Sequence, residues 1–365
     1  MNQSMNQTKL QREKVNKVSK NLNRIIIPVL SVILGLIVGA IIMLVSGYNP
    51  IQGYSQLWNG IFGDVYVIGE SVRQITPYIF AGLAFAFAIK TGLFNIGVEG
   101  QLVVGWFVSV YVGAAFQLPP GIHLIVALLA GGLAGALWAF IPGLLKAKLG
   151  VNEVVVTIMM NYTALHVTNA LVRAWVGKDV SDKVHETASL RIPAWEEATM
   201  YSRMHAGIII ALIAVIVIWY LLRNTTIGYE LKAVGLNRDA AQYAGMNVER
   251  NIVLAMVISG FLAGLGGSME GLGTFEYVST KSGLTGIGFD GIAVSILGAN
   301  HPIGIIFGAV LFGALKYGAL SMPNPPAKIP EQMISIIIAI IVFFAASPYI
   351  FPWLKEKFAR KKGGN

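Results

Sequence analysis

The chain contains uncharged apolar runs that no soluble core accommodates. Residues 25–47 carry no charge; as an α-helix rising 1.5 Å per residue this run is about 34 Å long, enough to cross a hydrocarbon layer of about 30 Å. Comparable runs cover residues 74–89, 102–145, 154–172, 206–222, 251–269, 332–354 and, with Lys316 as its one charge, 303–320, with a shorter one at 291–299. Within a bilayer the peptide groups find no water, so each run must satisfy its own backbone, and runs of this length do so as helices. Composition agrees: 55% of residues are hydrophobic and 12% charged, against about 25% charged in soluble proteins. The fold class is an all-α polytopic membrane protein. The first run is too long for a signal-peptide core and no A-x-A cleavage site follows it, so it reads as a retained span.

Leu118-Pro119-Pro120-Gly121 divides residues 102–145 into two spans, because a proline pair stops a helix and leaves a hairpin. The layout then has about ten transmembrane segments, some of them broken or re-entrant, with both termini cytoplasmic. In that orientation 18 of the 27 Lys and Arg residues fall on inner segments, eight on outer ones and Lys316 within a span, the bias of the positive-inside rule. It comprises a basic cytoplasmic tail at 1–24, one transmembrane domain at 25–354 and a second basic tail at 355–365. A cytoplasmic loop occupies 223–250 and a long outer loop 173–205. The short piece after Asp290 is the weakest segment, and its loss would invert everything downstream.

Several chemistries are excluded. The chain has no cysteine, hence no disulfide, iron–sulfur cluster or thiolate zinc site, and its five histidines form no HExxH motif. No GxxxxGK[S/T] phosphate loop is present, so if ATP drives this protein, another chain binds ATP and magnesium and hydrolyses it. Catalytic and metal-binding residues are therefore expected to be none, and no cofactor is expected on this chain. The net charge of +9 lies mostly beside apolar runs, where it suits topology and anionic lipid rather than nucleic acid.

Two Gly-rich polar breaks look alike: Ile96-Gly97-Val98-Glu99-Gly100 and Ile287-Gly288-Phe289-Asp290-Gly291. The first opens an outward-going span and the second an inward-going one, as an inverted repeat requires; chance is the other reading, since glycine fills 41 of 365 positions. Unwound backbone at membrane depth is tolerated where it lines a cavity. Glu99 and Asp290 are thus candidates for a substrate pathway, the alternative being a capping role near an interface. Asn95, Gln101 and Asn161 offer amide groups to a neutral polar solute, and His166, Lys316 and His301 are further polar groups whose commoner fate is a helix–helix hydrogen bond. Gly131-Gly132, Gly135, Gly260, Gly264 and Gly266-Gly267 suit close helix packing.

The 223–250 loop is the most structured polar stretch. Arg238, Asp239, Ala240 and Ala241 open a short helix that Asn237 can cap and Gly245 can stop, with small side chains that permit close approach by a partner; a loop whose charges only fix topology is the plain alternative. On the outer loop, Arg173, Arg191 and Arg203 with Trp175 and Trp195 could dock an acidic partner or belong to an interfacial aromatic belt.

Residues 92–101, Gly-Leu-Phe-Asn-Ile-Gly-Val-Glu-Gly-Gln, resemble the membrane permease of nucleoside-type ABC importers, within the broad family that includes ribose and branched-chain amino acid permeases. Leu149-Gly150-Val151-Asn152-Glu153-Val154, Met159-Met160-Asn161-Tyr162, Gly235-Leu236-Asn237 and residues 286–298 extend the similarity over nearly the whole chain from about residue 70. The resemblance implies that residues 237–245 form a coupling helix docking on an ABC ATPase subunit. It also implies an extracytoplasmic substrate-binding lipoprotein and a second permease, a heterodimer being favoured over two copies. The expected function is nucleoside import by alternating access, without enzymatic chemistry on this chain. A permease for a simple sugar such as ribose, or a self-sufficient ion-coupled transporter using Glu99 and Asp290, are the rivals.

Overall fold

The structure is a computed structural model that describes Leu30 and residues 32–346; the tails expected at 1–24 and 355–365 lie outside the described residues. Helices follow one another as α1 (Val32–Val45), α2 (Pro50–Phe62), α3 (Val65–Lys90), α4 (Val98–Ala115), α5 (Ile122–Leu149), α6 (Glu153–Val176), α7 (Pro193–Ala198), α8 (Gly207–Asn224), α9 (Thr226–Leu236), α10 (Arg238–Tyr243), α11 (Val248–Met269), α12 (Ile287–Leu297), α13 (Pro302–Gly318) and α14 (Glu331–Ala346). A π-helical turn, Glu270–Thr274, extends α11. No β-strand occurs among the described residues, only two isolated bridges. Seven helices are long and apolar enough to cross a membrane: α3, α4, α5, α6, α8, α11 with its extension, and α13. The chain is a multi-pass, all-α membrane protein. The runs expected at 25–47 and 332–354 are described only in part, as α1 and α14.

Two compact units form. One comprises residues 1–54 and 323–365; in it α1 meets α14 where Gly39 approaches Ile337, and the Tyr54 hydroxyl donates to the Leu36 carbonyl. The other, residues 55–322, holds every element discussed below.

At the centre of that unit α3 and α11 pack on each other. α3 also packs on α12 and α13, while α11 packs on α4 and α5. α3 begins at Val65, not near residue 74 as the apolar run suggests, because Glu70 and Arg73 pair within the helix at 2.9 Å and are buried together. α5 and α11 approach backbone to backbone: a Cβ on Gly135 would strike the Gly260 carbonyl and the Gly264 backbone. α12 has 11 residues, about 16 Å of helix, half of what a bilayer requires.

Gly264→Leu should drive α5 and α11 apart and lower stability by at least about 1–3 kcal/mol, whereas Leu137→Ala on the exposed face of α5 should change little. Thermal unfolding in detergent, followed by tryptophan fluorescence, checks both.

Candidate functional site

After α3 the chain breaks at Lys90, turns through Gly92 at φ +73° and restarts as α4 at Val98. A break inside an apolar bundle leaves peptide groups that water cannot reach, and side chains must take them. Asn95 does this first: its Oδ1 accepts from Gly97 N at 3.0 Å and from Gln101 Nε2 at 3.1 Å. Its Nδ2 donates to Gln101 Oε1 at 3.0 Å and to Ser259 Oγ on α11 at 2.8 Å. Ser259 in turn donates to the Ala84 carbonyl of α3 at 2.6 Å. Asn161, from α6, accepts from Gly100 N at 2.8 Å and donates to the Ile96 carbonyl at 3.0 Å.

Glu99 binds the second break to the first. Its carboxylate accepts from Thr285 Oγ1 at 2.6 Å, Gly286 N at 2.9 Å and Gly288 N at 2.7 Å, so it caps the start of α12, where free N–H groups and the helix dipole favour an anion. Gly288 lies so close that a Cβ there would strike the Glu99 backbone. The two look-alike motifs therefore touch. Asp290 instead accepts from Tyr78 Oη at 3.0 Å and pairs with Lys316 Nζ at 3.1 Å.

Of the residues singled out for a substrate pathway, Asn95, Glu99, Gln101 and Asn161 are fully buried and bond within the chain. Asp290 alone is partly open, its side chain 24% exposed.

The 173–205 loop, expected on the outer side, is also bound internally. Arg203 grips buried Glu70 through its backbone N at 2.7 Å, Nε at 3.2 Å and Nη2 at 2.9 Å; the side-chain bond raises the Arg203 pKa. Arg191 donates to the Gly273 and Thr274 carbonyls, each at 2.9 Å, and lies 3.4 Å from Glu276. Arg173 bonds exposed Asp179 at 2.9 Å, and Trp175 sits edge-on to Tyr111 at 4.8 Å. Trp195 is half-buried at the short α7.

Sequence reasoning missed three features here. The π-helical turn puts buried Glu270 within 3.2 Å of Thr274 Oγ1. Lys281 Nζ lies 3.6 Å above the Trp106 ring, with its pKa lowered by burial against the pull of Glu270 and Glu99. His205 is buried, accepts from Gly207 N at Nδ1, and its pKa is pushed down to about 3 by burial, with Arg73 and Arg191 adding to the shift against the opposing effect of Glu70.

The cytoplasmic-loop candidate folds as α9 and α10. Thr225 caps α9 by accepting from Gly228 N at 3.1 Å; α9 was hidden in the sequence because its apolar positions lack a long run. Asn237 Oδ1 accepts from Ala240 N at 3.0 Å, and Gly245, at φ +83°, closes α10 with Met246 N donating to the Ala241 carbonyl. Arg238, Asp239 and Ala240 are exposed, and Ala241 is buried beneath them. Leu236 is 89% and Tyr243 94% exposed, a protruding apolar pair that the sequence did not single out.

A multi-pass helical protein with two capped breaks and a protruding loop helix is the class that fold and geometry define. The model of the family "Branched-chain amino acid transport system / permease component" matches residues 67–346, and the chain belongs to that family. It is 54% identical to the guanosine ABC transporter permease protein NupP of Bacillus subtilis, over 95% of this chain and 99% of that one. It is 38% identical to the nucleoside ABC transporter permease protein NupB of Lactococcus lactis, over 92% and 94%. The guanosine ABC transporter permease protein NupQ of B. subtilis is 30% identical over 67% of this chain and 78% of that one.

Removing the Glu99 acceptor leaves three donors, Gly288 N buried and the other two part-buried, so Glu99→Ala should cost about 1–3 kcal/mol, with Glu99→Gln intermediate; detergent melting curves measure this. His205 is neutral when folded and takes a proton when unfolded below about pH 6.5. Stability is therefore full above that pH and falls as pH drops toward about 3. His205→Asn, which keeps an acceptor for Gly207 N, should flatten the dependence of melting temperature on pH between about 7 and 5.

Proposed function

We propose that this chain is the membrane permease subunit of an ATP-driven ABC importer that moves nucleosides into the cell. The observation that carries the reading is the 54% identity, over nearly the whole of both chains, with a permease named for guanosine. The geometry supports it: the carboxylates an ion-coupled transporter would need are occupied, Glu99 by three donors and Asp290 by Tyr78 and Lys316. The chain is a transport component, and ATP and magnesium belong to a partner ATPase.

In this reading both termini and the α9–α10 loop are cytoplasmic, and the ten-segment layout holds in the membrane. α10 enters a cleft of the ATPase, with Leu236 and Tyr243 as apolar anchors and Asn237, Arg238, Asp239, Ala240, Ala241 and Gly245 building the helix that presents them. An extracytoplasmic binding lipoprotein delivers the solute to the outer loops. The reciprocal packing of α3 on α12 and α13 and of α11 on α4 and α5 supports an inverted repeat whose halves rock to alternate access. NupP and NupQ, two permeases of one organism sharing a transporter name, support a heterodimer.

Reconstituted with its ATPase, second permease and binding protein, the chain should import radiolabelled guanosine only with ATP; uptake driven by an ion gradient without ATPase would overturn the reading. Leu236→Asp with Tyr243→Ala should lower substrate-stimulated ATP hydrolysis about tenfold or more, as expected for apolar anchors worth over about 1.4 kcal/mol, while leaving the melting temperature unchanged. Normal stimulation would remove α10 from the coupling role.

A further inference from the structure

The spans differ in what they expose. On α8 the exposed positions through the middle of the helix, Ile209, Leu212, Ile213, Ile216 and Val217, are all aliphatic, a surface suited to acyl chains, and Tyr220 is exposed only toward the end. On α6 the exposed Met159, Tyr162, His166, Ala170 and Arg173 follow one another at three- and four-residue steps and therefore stack along one side of the helix, with Thr163 beside them and exposed aliphatic residues on either side. His166 lies within two residues of the midpoint of Glu153–Val176, about 2 Å along the axis, and Tyr162 is a turn away. Neither the Tyr162 hydroxyl nor the His166 ring forms a hydrogen bond among the described residues. Thr163 Oγ1 donates to the Met159 carbonyl at 3.0 Å and keeps its lone pairs.

An ionisable side chain such as His166 at this depth is rarely left against lipid; such residues face protein or water. Among the described residues the face is exposed rather than interior, so in the membrane another subunit or water must cover it. We infer that the α6 stripe centred on Tyr162 and His166 is a wall of the solute pathway and contacts the nucleoside in transit. The chemistry matches: a nucleoside has a flat base that stacks on aromatic rings and a polar ribose that hydroxyl and imidazole groups can bond. The inference rests on the nucleoside-importer reading above, and it assigns recognition to a surface where none of the buried amides of the helix break takes part.

Because the chain has no cysteine, single cysteines report without background. In the complete transporter, Tyr162→Cys and His166→Cys on α6 are compared with Ile213→Cys and Ile216→Cys on α8, using a cationic methanethiosulfonate reagent with and without guanosine. Reaction needs a hydrated thiolate, so the α6 positions should react at least about tenfold faster than those on α8, and guanosine should slow them. Equal reactivity on both helices would overturn the inference, as would fast α6 reactivity that guanosine does not change. His166→Ala should also raise the KM for guanosine about fivefold, the loss of one hydrogen bond, with an unchanged melting temperature; an unaltered KM counts against contact. If the unmodified assembly imports no nucleoside, it is the importer reading that fails, and the cysteine pattern then still reports whether the face is aqueous.

Discussion

The Glu99 carboxylate is the interaction on which this arrangement depends. A helix that starts within an apolar bundle leaves its first N–H groups without partners, and each unsatisfied group costs on the order of 1–3 kcal/mol. Glu99 takes two of these groups at α12 and the Thr285 hydroxyl as well. It can do so because it stands on the first turn of α4, which is itself held by Asn95 and Asn161. The second break thus rests on the first, and α12 can be short because its exposed end is capped from within the protein.

The protruding loop sits directly on this construction. At Gly235, near the end of α9, a Cβ would strike the Lys90 carbonyl and crowd Thr91, the residues at which α3 gives way to the break. The Thr91 hydroxyl is buried there without a partner. From Thr91 the chain runs through Asn95, which holds α11 by Ser259, to Glu99, which holds α12. A displacement of α9 therefore has a short covalent and hydrogen-bonded route to both central helices.

How much was legible in the sequence depended on whether one local rule decided the outcome. Spans such as α6, α8 and α11 matched their apolar runs within a few residues, because length and charge alone govern insertion. α10 was legible through Asn237 and Gly245, whose capping chemistry is local. The start of α3 was hidden because the Glu70–Arg73 pair looks like an interruption until the helix brings the two side chains together. The direction in which a side chain points was also hidden. Nothing local says that Ala241 faces inward while Leu236 and Tyr243 face out, or that Asn95 and Asn161 spend their amides on the backbone of the break while Gln101 holds Asn95 in place. Likewise, Arg173, Arg191 and Arg203 read as free cations until Asp179, Glu276 and Glu70 are placed beside them.

The Glu70–Arg73 pair has a consequence for biogenesis. Its members are three residues apart on one helix, so they meet as soon as that turn forms, before α3 has any neighbour. A nascent α3 can then leave the translocation machinery with its two charges already neutralised, and Arg203 completes the cluster only after several later spans have been made.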